Sequence, residues 1–317
     1  MMADMKRQRG IALITALLVT AIATIAAVSM MSRQHLDLRR SSNIYAADQA
    51  WLFAQGIESW ALQVMQKDRR DSKNDHLGED WATILPPIGV EGGVVAGRVE
   101  DLQGRFNLNN LVENGEASPD DIEILKRLFD VLDIDNRRVQ AIVDWIDTDE
   151  EMTFPDGAED NVYLGREVAY RTANGLMVSP SELLLIDGIT YEDYQALRPY
   201  LCALPERTDL NVNTVAAELL QALVPGLEAG DAEQLVSERE DNPFDSVQDF
   251  LAHTLINNHM GTGSGQGGTA GKGMAVSSDY FLLSAAAQFQ RAEIYLASVI
   301  TRDDNGAQVV LHGQGDY

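Results

Sequence analysis

Carboxylate side chains are densest between positions 144 and 160, and this stretch is the best candidate for chemistry in the chain. The run DWIDTDEE begins at Asp144, and the run DGAEDN begins at Asp156. Ca²⁺ takes about six to eight oxygen ligands, which carboxylates can supply. Because so many like charges repel one another without a cation, we predict a calcium site here. The candidate ligands are Asp147, Asp149, Glu150, Asp156, Glu159 and Asp160.

Two other interpretations of this acidic stretch stay open. A run of charges is commonly a solvated loop without a ligand. A pair of carboxylates can also serve a hydrolase, but no histidine or aromatic cluster accompanies this pair in the sequence. An EF-hand is excluded, because counting from Asp147 places Met152 where the motif requires Gly and Ala158 where it requires Glu.

An uncharged apolar segment runs from Ile11 to Met31. As a helix it would be about 31 Å long, roughly the thickness of a bilayer's hydrocarbon core. The leader before it carries Lys6, Arg7 and Arg9, and such cationic flanks stay on the cytoplasmic side. We therefore expect a single-pass membrane protein with its body outside the cytoplasm. The alternative is a cleaved secretory signal, whose apolar core is normally only about 7–15 residues.

The leader ends in Gly10, and the apolar run begins at once with Ile11. This junction resembles the class III leader of type IV pilins and pseudopilins, in which a prepilin peptidase cuts after the glycine and methylates the new N-terminus. Those families usually place Glu at the fifth mature residue, where this chain has Thr15. In pilins this Glu is thought to meet the N-terminal amine of a neighbouring subunit. A subunit with Thr15 cannot offer that contact, which suits the end of a filament.

Composition limits the partners. The chain has 317 residues and a net charge of −25, which repels phosphate backbones, so we expect no nucleic acid partner. Cys202 is the single cysteine, so no disulfide framework can form within the chain.

The order of the predicted elements indicates an α+β fold. One helix extends from Ile11 to about Lys67, with an apolar stripe that includes Ile44, Ala54 and Met65. We predict strands at 94–100, 279–289, 293–302 and 307–313, with a hairpin turn at 303–306. The region 68–93 is predicted to be turn-rich, and 261–273 to be a glycine-rich loop. Helices are predicted at 119–132, 136–147, 180–186, 191–200, 214–223, 231–237 and 246–256.

The simplest assembly is a long N-terminal helix on a small antiparallel sheet, interrupted by a helical domain. We divide the chain into a leader (1–10), a transmembrane segment (11–31), a periplasmic helix with the first strand (32–100), an inserted α-helical domain (101–275) and C-terminal strands (276–317). Two glycine-turned helix pairs, 183–189 and 219–227, resemble helix-hairpin-helix or SAM-like units. Asp187 and Glu228 stand where DNA-binding hairpins carry cations, so we interpret both as packing units.

Several motifs together resemble the general secretion pathway protein K family, the large minor pseudopilin of type II secretion. The resemblance covers nearly the whole chain. The matching segments are 101–111 (DLQGRFNLNNL), 144–149 (DWIDTD), 155–160 (PDGAED), 179–184 (SPSELL) and 211–214 (NVNT).

The resemblance implies a pseudopilin fold with an inserted helical domain, calcium binding in that domain, and a place at the pseudopilus tip with the I-type and J-type minor pseudopilins. We expect further partners to be the H-type and major pseudopilins, the prepilin peptidase, secreted substrates and the secretin. We expect a structural rather than an enzymatic role.

The alternative function is that of a membrane-anchored helix-hairpin-helix protein for DNA uptake. We predict that α-helices of partner subunits pack against the N-terminal helix, where small residues allow a close approach. The predicted packing residues are Ala16, Ala21, Ala23, Ala27 and Trp51.

The mature N-terminus distinguishes the two membrane interpretations. Mass spectrometry of the protein purified from membranes should find an N-methylated Ile11 if Gly10 ends a prepilin leader. A chain that starts near Ser29 would instead establish an ordinary signal peptide.

Overall fold

The computed structural model describes residues 5–260 and 271–315. It opens with one helix, α1 (Met5–Asp71), which is about 100 Å long at about 1.5 Å per residue. The predicted long helix is confirmed, and it ends at Asp71 rather than Lys67. Every side chain from 11 to 31 is exposed. Among the described residues, α1 is the one helix long and apolar enough to cross a membrane.

A five-stranded antiparallel sheet lies against the second half of α1. Its strands neighbour one another in chain order, and the predicted hairpin turn joins the last two. The predicted glycine-rich loop at 261–273 lies mostly outside the described residues. The strands are β1 (Leu85–Val90), β2 (Gly93–Asp101), β3 (Tyr280–Phe289), β4 (Ala292–Asp303) and β5 (Gly306–Gln314).

The edge strand β1 corrects the prediction of an irregular stretch at 68–93. It contains Pro86 and Pro87, which cannot donate a backbone hydrogen bond. An edge strand tolerates proline because one of its sides has no neighbour. Its pairing with β2 shifts register between Leu85 and Ile88, where the two prolines lie. Proline argues against an interior strand but not against an edge strand, and the sequence does not show that this segment lies at an edge.

Small side chains on α1 let the helix approach the sheet. Ala50, Ala54 and Ala61 are fully buried, and Met65 lies on the same face. A Cβ at Gly97 of β2 would lie 3.1 Å from Ile57 Cγ2, so the glycine also favours this close packing. The predicted apolar stripe is confirmed for Ala54 and Met65. Ile44 is an exception, because its side chain is 62% exposed.

The chain leaves the sheet after β2 and returns at β3, and the intervening segment is mainly helical. Helix 246–256 was predicted as one piece, but His253 has an extended ψ of 138° and separates a helix at Val247–Ala252 from one at Thr254–Met260. Segments 136–138, 180–185 and 198–200 are 3₁₀ helices, and three pairs of two-residue strands brace the domain. Its helices are α2 (Pro119–Val131), α3 (Val139–Ile146), α4 (Asp160–Tyr163), α5 (Tyr191–Leu197), α6 (Ala217–Leu223), α7 (Ala229–Asp241), α8 (Val247–Ala252) and α9 (Thr254–Met260).

Both predicted glycine turns adopt the left-handed conformation. Gly188 has φ of 80° and Gly226 has φ of 85°, values that glycine reaches without a steric penalty. Leu183, Leu219 and Leu223 of these units are buried in the core of the inserted domain. The structure therefore supports their interpretation as packing units.

A buried arginine connects α1 to the sheet. Arg302 of β4 is 1% exposed and donates to Asp68 Oδ2 at 2.6 Å and to Asp75 Oδ1 at 2.5 Å. Its guanidinium also lies over the Phe281 ring, 4.7 Å from the centroid. Because Asp68 is on α1 and Asp75 follows it, this pair of contacts fixes the end of the helix on the sheet.

A second polar group joins the sheet to the inserted domain. Asp101, at the end of β2, accepts hydrogen bonds from Thr214 Oγ1 at 2.6 Å, Ser278 Oγ at 2.7 Å and Asn211 Nδ2 at 3.1 Å. The backbone N–H of Ser278 donates to Asp75 Oδ2 at 2.7 Å. Arg302 and Asp101 thus belong to one buried network, which we call the junction network and define as Asp68, Asp75, Asp101, Asn211, Thr214, Ser278 and Arg302.

Cys202 lies at the same boundary as a free, buried thiol. Its Sγ is 3.3 Å from the carbonyl oxygen of Leu102, and burial raises the thiol pKa far above its usual value. The side chain therefore packs as a small apolar residue.

Candidate metal centre

The acidic stretch lies at the end of a buried helix. All residues of α3 from Ala141 to Ile146 are buried, and Asp147 follows in an extended conformation with ψ of 171°. Trp145 packs edge-on against Tyr163 of α4 at a centroid distance of 5.4 Å. Its indole Nε1 donates to Glu182 Oε2 at 3.2 Å. The aromatic contact holds α3 and α4 together. The carboxylates of Asp147 and Asp149, which follow α3, therefore lie close to the carboxylate of Glu159, which precedes α4.

Three carboxylates converge at this point. One oxygen each from Asp147, Asp149 and Glu159 lies within 4.8 Å of the other two. Calcium–oxygen bonds measure about 2.3–2.6 Å, so oxygens at these separations can share one ion. Asp147 and Glu159 are 7% and 3% exposed, while Asp149 is at the surface. The cluster therefore has two buried carboxylates and one at the surface.

The inner carboxylates each carry an oxygen with no hydrogen-bond donor among the described residues. These atoms are Asp147 Oδ1 and Glu159 Oε1. Asn174 Oδ1 also lacks a hydrogen-bond donor among the described residues. The Nδ2 atom of the same side chain donates a hydrogen bond to the carbonyl oxygen of Asp149 at 2.8 Å. Buried polar atoms are rarely left unsatisfied in folded proteins. Oxygens of this kind fit a hard cation, so the residues present match the predicted calcium.

Asp144 supports the loop from beneath. It is fully buried, and its Oδ2 accepts a hydrogen bond from the backbone N–H of Thr153 at 3.1 Å. A Cβ at Gly157 would lie 2.2 Å from Asp144 Oδ2 and 2.4 Å from the carbonyl oxygen of Thr153. Only glycine fits this approach, so Gly157 is needed for the loop to close over Asp144.

The site is electrostatically strained without a cation. Burial and, to a smaller extent, the neighbouring charges of Asp149, Asp144 and Glu159 together raise the pKa of Asp147 to about 7. Burial also raises the pKa of Glu159 and that of Asp144. A bound divalent cation would reverse these shifts, because it favours the charged form of each carboxylate.

Three of the six predicted ligands lie outside the cluster of Asp147, Asp149 and Glu159. Asp160 Oδ2 pairs with Arg171 Nη1 at 3.0 Å, and its Oδ1 accepts from Thr172. Glu150 is exposed, and Asp156 lies outside the cluster of carboxylate oxygens. The structure therefore places these three predicted ligands outside the converging cluster. Neither Asp144 nor Asn174 was among the predicted ligands.

A second acidic group shows how this protein neutralises carboxylates by other means. Asp68, Asp75 and Glu79 also lie within 4.8 Å of one another. Here Arg302 supplies the positive charge to two of them, and Trp81 Nε1 donates to Glu79 Oε2 at 2.8 Å. This group is already satisfied by side chains, in contrast to the group around Asp147.

The other predicted site residues lie on α1. The backbone of Gly10 and Ile11 is helical, and cleavage between them stays a prediction. The four predicted small packing residues, Ala16, Ala21, Ala23 and Ala27, are exposed along the apolar segment. Trp51 is half-buried and packs partly against the core of its own chain, so only the rest of its side chain is available to a partner helix.

A membrane-crossing helix, an antiparallel sheet packed on it and an inserted helical domain define the chain as a pseudopilin. Family models described as type II secretion system (T2SS), protein K match residues 104–206 and 210–266. A type II secretion system protein K from Pseudomonas aeruginosa is 36% identical over 97% of this chain and 93% of its own length. The corresponding protein of Klebsiella pneumoniae is 31% identical over 98% of both chains.

A solved structure supports the same assignment. It is the crystal structure of the GspK-GspI-GspJ complex from the enterotoxigenic Escherichia coli type 2 secretion system. The match has a TM-score of 0.76 and 28% identity, and it covers 88% of this chain and 99% of the other. The chain belongs to the type II secretion system protein K family. It is a minor pseudopilin, a structural component of a secretion system.

Without divalent cations, the raised pKa values predict that the chain is more stable at pH 6 than at pH 8. A folded-state pKa of about 7 for Asp147 exceeds its ordinary value of 3.8, so the folded chain binds the extra proton. The free energy of unfolding should therefore rise, on the order of 1 kcal/mol, as the pH falls from 8 to 6. Denaturant titrations of the full chain in detergent and EDTA measure this slope. The Asp147→Asn variant should lose most of it, and an unchanged slope would contradict the assignment.

Proposed function

We propose that this minor pseudopilin lies at the tip of the periplasmic pseudopilus and initiates its assembly from the inner membrane. Its α1 helix joins partner helices, with the body on the periplasmic side, and the inserted domain covers the top of the fibre. Thr15 supports a terminal position, because it lacks the carboxylate that pilin subunits offer to a neighbour. The relative crystallised as a GspK-GspI-GspJ complex supports the I-type and J-type minor pseudopilins as partners.

The observation that carries this proposal is an apolar row on the outer side of α1. Leu38, Tyr45 and Leu52 recur every seven residues and are 60%, 56% and 55% exposed. Leu52 lies two positions from the buried Ala50 and Ala54, and two positions turn a helix by about 200°. The row therefore faces away from the sheet, although the Tyr45 ring also touches Phe289. Seven-residue spacing is typical of a surface that packs along another helix.

Gly56 lies next to this row, and no contact among the described residues requires a glycine there. It is exposed in the middle of α1, and a Cβ there would meet nothing within 4 Å. Glycine inside a helix costs about 0.5–1 kcal/mol relative to alanine. A neighbouring helix that crosses closely at this point would account for it, since small residues allow backbones to approach. We infer that Gly56 marks the crossing point of a partner helix.

Calcium belongs to the same proposal as a structural ion of the inserted domain. Asp147, Asp149 and Glu159 would hold it, and its charge would replace the repulsion among them. A ligand that binds only the folded state at about 100 times its dissociation constant adds about 2.7 kcal/mol of stability. The ion would stiffen the acidic loop, which a domain without disulfides cannot achieve through covalent links.

Thermal unfolding of the full chain in detergent tests the calcium site. We expect the midpoint to rise by several degrees when EDTA is replaced by Ca²⁺. The double variant Asp147→Asn/Glu159→Gln should lose this rise. Glu150→Gln, which removes a charge outside the cluster, should retain it. Equal midpoints for the wild type in EDTA and Ca²⁺ would rule out the site.

A glycine comparison tests the helix contact. Gly56→Leu should reduce co-purification with the I-type and J-type pseudopilins severalfold and lower secretion, because the new side chain keeps the helices apart. Gly230→Leu is the matched control, since Gly230 is also helical, exposed and open around its Cβ. Neither variant should lower the unfolding midpoint, because leucine favours a helix more than glycine does. Normal assembly of Gly56→Leu would show that no helix crosses there.

A further inference from the structure

A cavity of about 520 Å³ lies between the end of α1 and the segment that leads into β1. Its helical wall extends from Trp60 to Asp71, about 16 Å at about 1.5 Å per residue. Its other wall extends from Gly78 to Pro86. We call this cavity the α1 cleft. An extended segment of about five residues would span it, because a strand rises about 3.3 Å per residue.

The part of the cleft nearer the middle of α1 is apolar and accessible. Trp60 is 44% exposed and Ile84 is 68% exposed. Val64, Leu85 and Pro86 line the same cavity. Single apolar side chains at a surface are ordinary, but concave apolar surfaces are typical of binding sites. This part of the cleft can therefore take an apolar side chain.

The part of the cleft at the helix end is acidic. Four carboxylates line it, and Lys67 is the one cationic residue in the lining. The carboxylates belong to Asp68, Asp71, Glu79 and Asp80. The cleft thus offers an apolar half and an anionic half to one ligand.

Contacts between the two walls fix this order. Leu85 pairs with Gly97 of β2, and a Cβ at Gly97 would lie 3.1 Å from Ile57 of α1. Nearer the helix end, Lys67 Nζ lies 3.8 Å from Asp80 Oδ2 on the opposite wall. The apolar residues of the two walls therefore face one another, and so do the acidic ones.

Most of the negative charge in the cleft has no cationic partner. Asp68 has Arg302, but Asp71 has no hydrogen bond or ion pair among the described residues. Glu79 accepts only from neutral donors, the indole of Trp81 at 2.8 Å and the backbone N–H of His76 at 3.0 Å. Both donors bond to Oε2, so Oε1 remains for another donor.

The ion pair that crosses the cleft is weak. The side chains of Lys67 and Asp80 are 66% and 85% exposed. Exposed pairs of this kind contribute little to stability, because water and salt screen them. Lys67 can therefore give way to another cation.

The end of the helix adds to the negative potential. Asp71 is the last residue of α1, where the helix dipole disfavours a carboxylate and favours a cation. Burial, followed by the charge of Glu79, raises the pKa of Asp68 to about 6. A bound cation would relieve this crowding. The net charge of −25 on the whole chain attracts cations to the cleft as well.

The chemistry of the lining indicates the kind of ligand. Carboxylates form charge-assisted hydrogen bonds with lysine and arginine, and a tryptophan ring attracts the same cations. A metal ion would leave the apolar half unused. A peptide that carries a cation beside an apolar side chain matches both halves.

We propose that the α1 cleft binds a short segment of another protein in which lysine or arginine lies next to apolar side chains. The cation contacts Asp71 and Glu79, and the apolar side chains contact Trp60 and Ile84. Lys67 competes with the segment, so its removal strengthens binding. The inference depends neither on the position in the pseudopilus nor on calcium, because the cleft lies within one chain and apart from the acidic loop.

Fluorescence anisotropy tests the proposal with the full chain in nonionic detergent at low ionic strength. The probe is fluorescein-labelled Gly-Leu-Lys-Leu-Lys-Gly. One reference, Gly-Leu-Gln-Leu-Gln-Gly, lacks the cations, and the other, Gly-Ser-Lys-Ser-Lys-Gly, lacks the apolar side chains. Both references should bind at least about fivefold more weakly than the probe.

Variants locate the bound probe. Asp71→Asn/Glu79→Gln should weaken binding about tenfold, and Trp60→Ala about fivefold. The matched controls are Glu233→Gln and Tyr191→Ala, which change an exposed carboxylate and an exposed ring elsewhere and should have less than about a twofold effect. Lys67→Gln should tighten binding about threefold, a gain that misfolding cannot produce. Unfolding midpoints establish that the variants remain folded.

Three results would overturn the proposal. The first is equal binding of the probe and either reference to the wild type. The second is an equal loss in Glu233→Gln and in the double variant, which would indicate only diffuse charge attraction. The third is displacement of the probe by equimolar Ca²⁺, which would make the cleft a metal site.

Discussion

The arrangement of helix, sheet and inserted domain depends on the buried guanidinium of Arg302. A charge in the protein interior is stable only when opposite charges and hydrogen bonds surround it. Asp68 supplies one partner from α1 and Asp75 supplies the other from the loop after it. Through Ser278, the same network reaches Asp101 and the inserted domain. Any shift of one of the three parts would leave an ionised group buried without a partner.

This network explains why similar acidic clusters have different chemistry. Asp68, Asp75 and Glu79 are as close together as Asp147, Asp149 and Glu159. The first cluster receives a guanidinium from a distant strand, and the second receives none among the described residues. The difference cannot be read from local sequence, because Arg302 is far from Asp68 along the chain. Only the folded chain shows which carboxylates are neutralised and which retain oxygens for a cation.

Local patterns predicted much of the fold. The uninterrupted α1 and the strands β2 to β5 follow from continuous apolar periodicity and clear turn residues. The strand β1 was missed because Pro86 and Pro87 are tolerated only at an edge, and edges are defined by tertiary structure. Three of the six predicted ligands converge within the predicted acidic stretch. Asp160 forms an ion pair with Arg171, and Asn174, from a separate segment, donates a hydrogen bond to the carbonyl oxygen of Asp149. Both depend on contacts that sequence spacing does not encode.

The position of the inserted domain also orders the folding of the molecule. Asp101 faces Phe281 across the centre of the sheet, although roughly 180 residues separate them in the chain, and pairings of such long range form slowly. A folded insertion holds its two ends together and removes most of that search. Until β3 pairs with β2, the β1–β2 hairpin has one open edge. A subunit whose insertion failed to fold would leave this edge of β2 without the neighbour that completes the sheet.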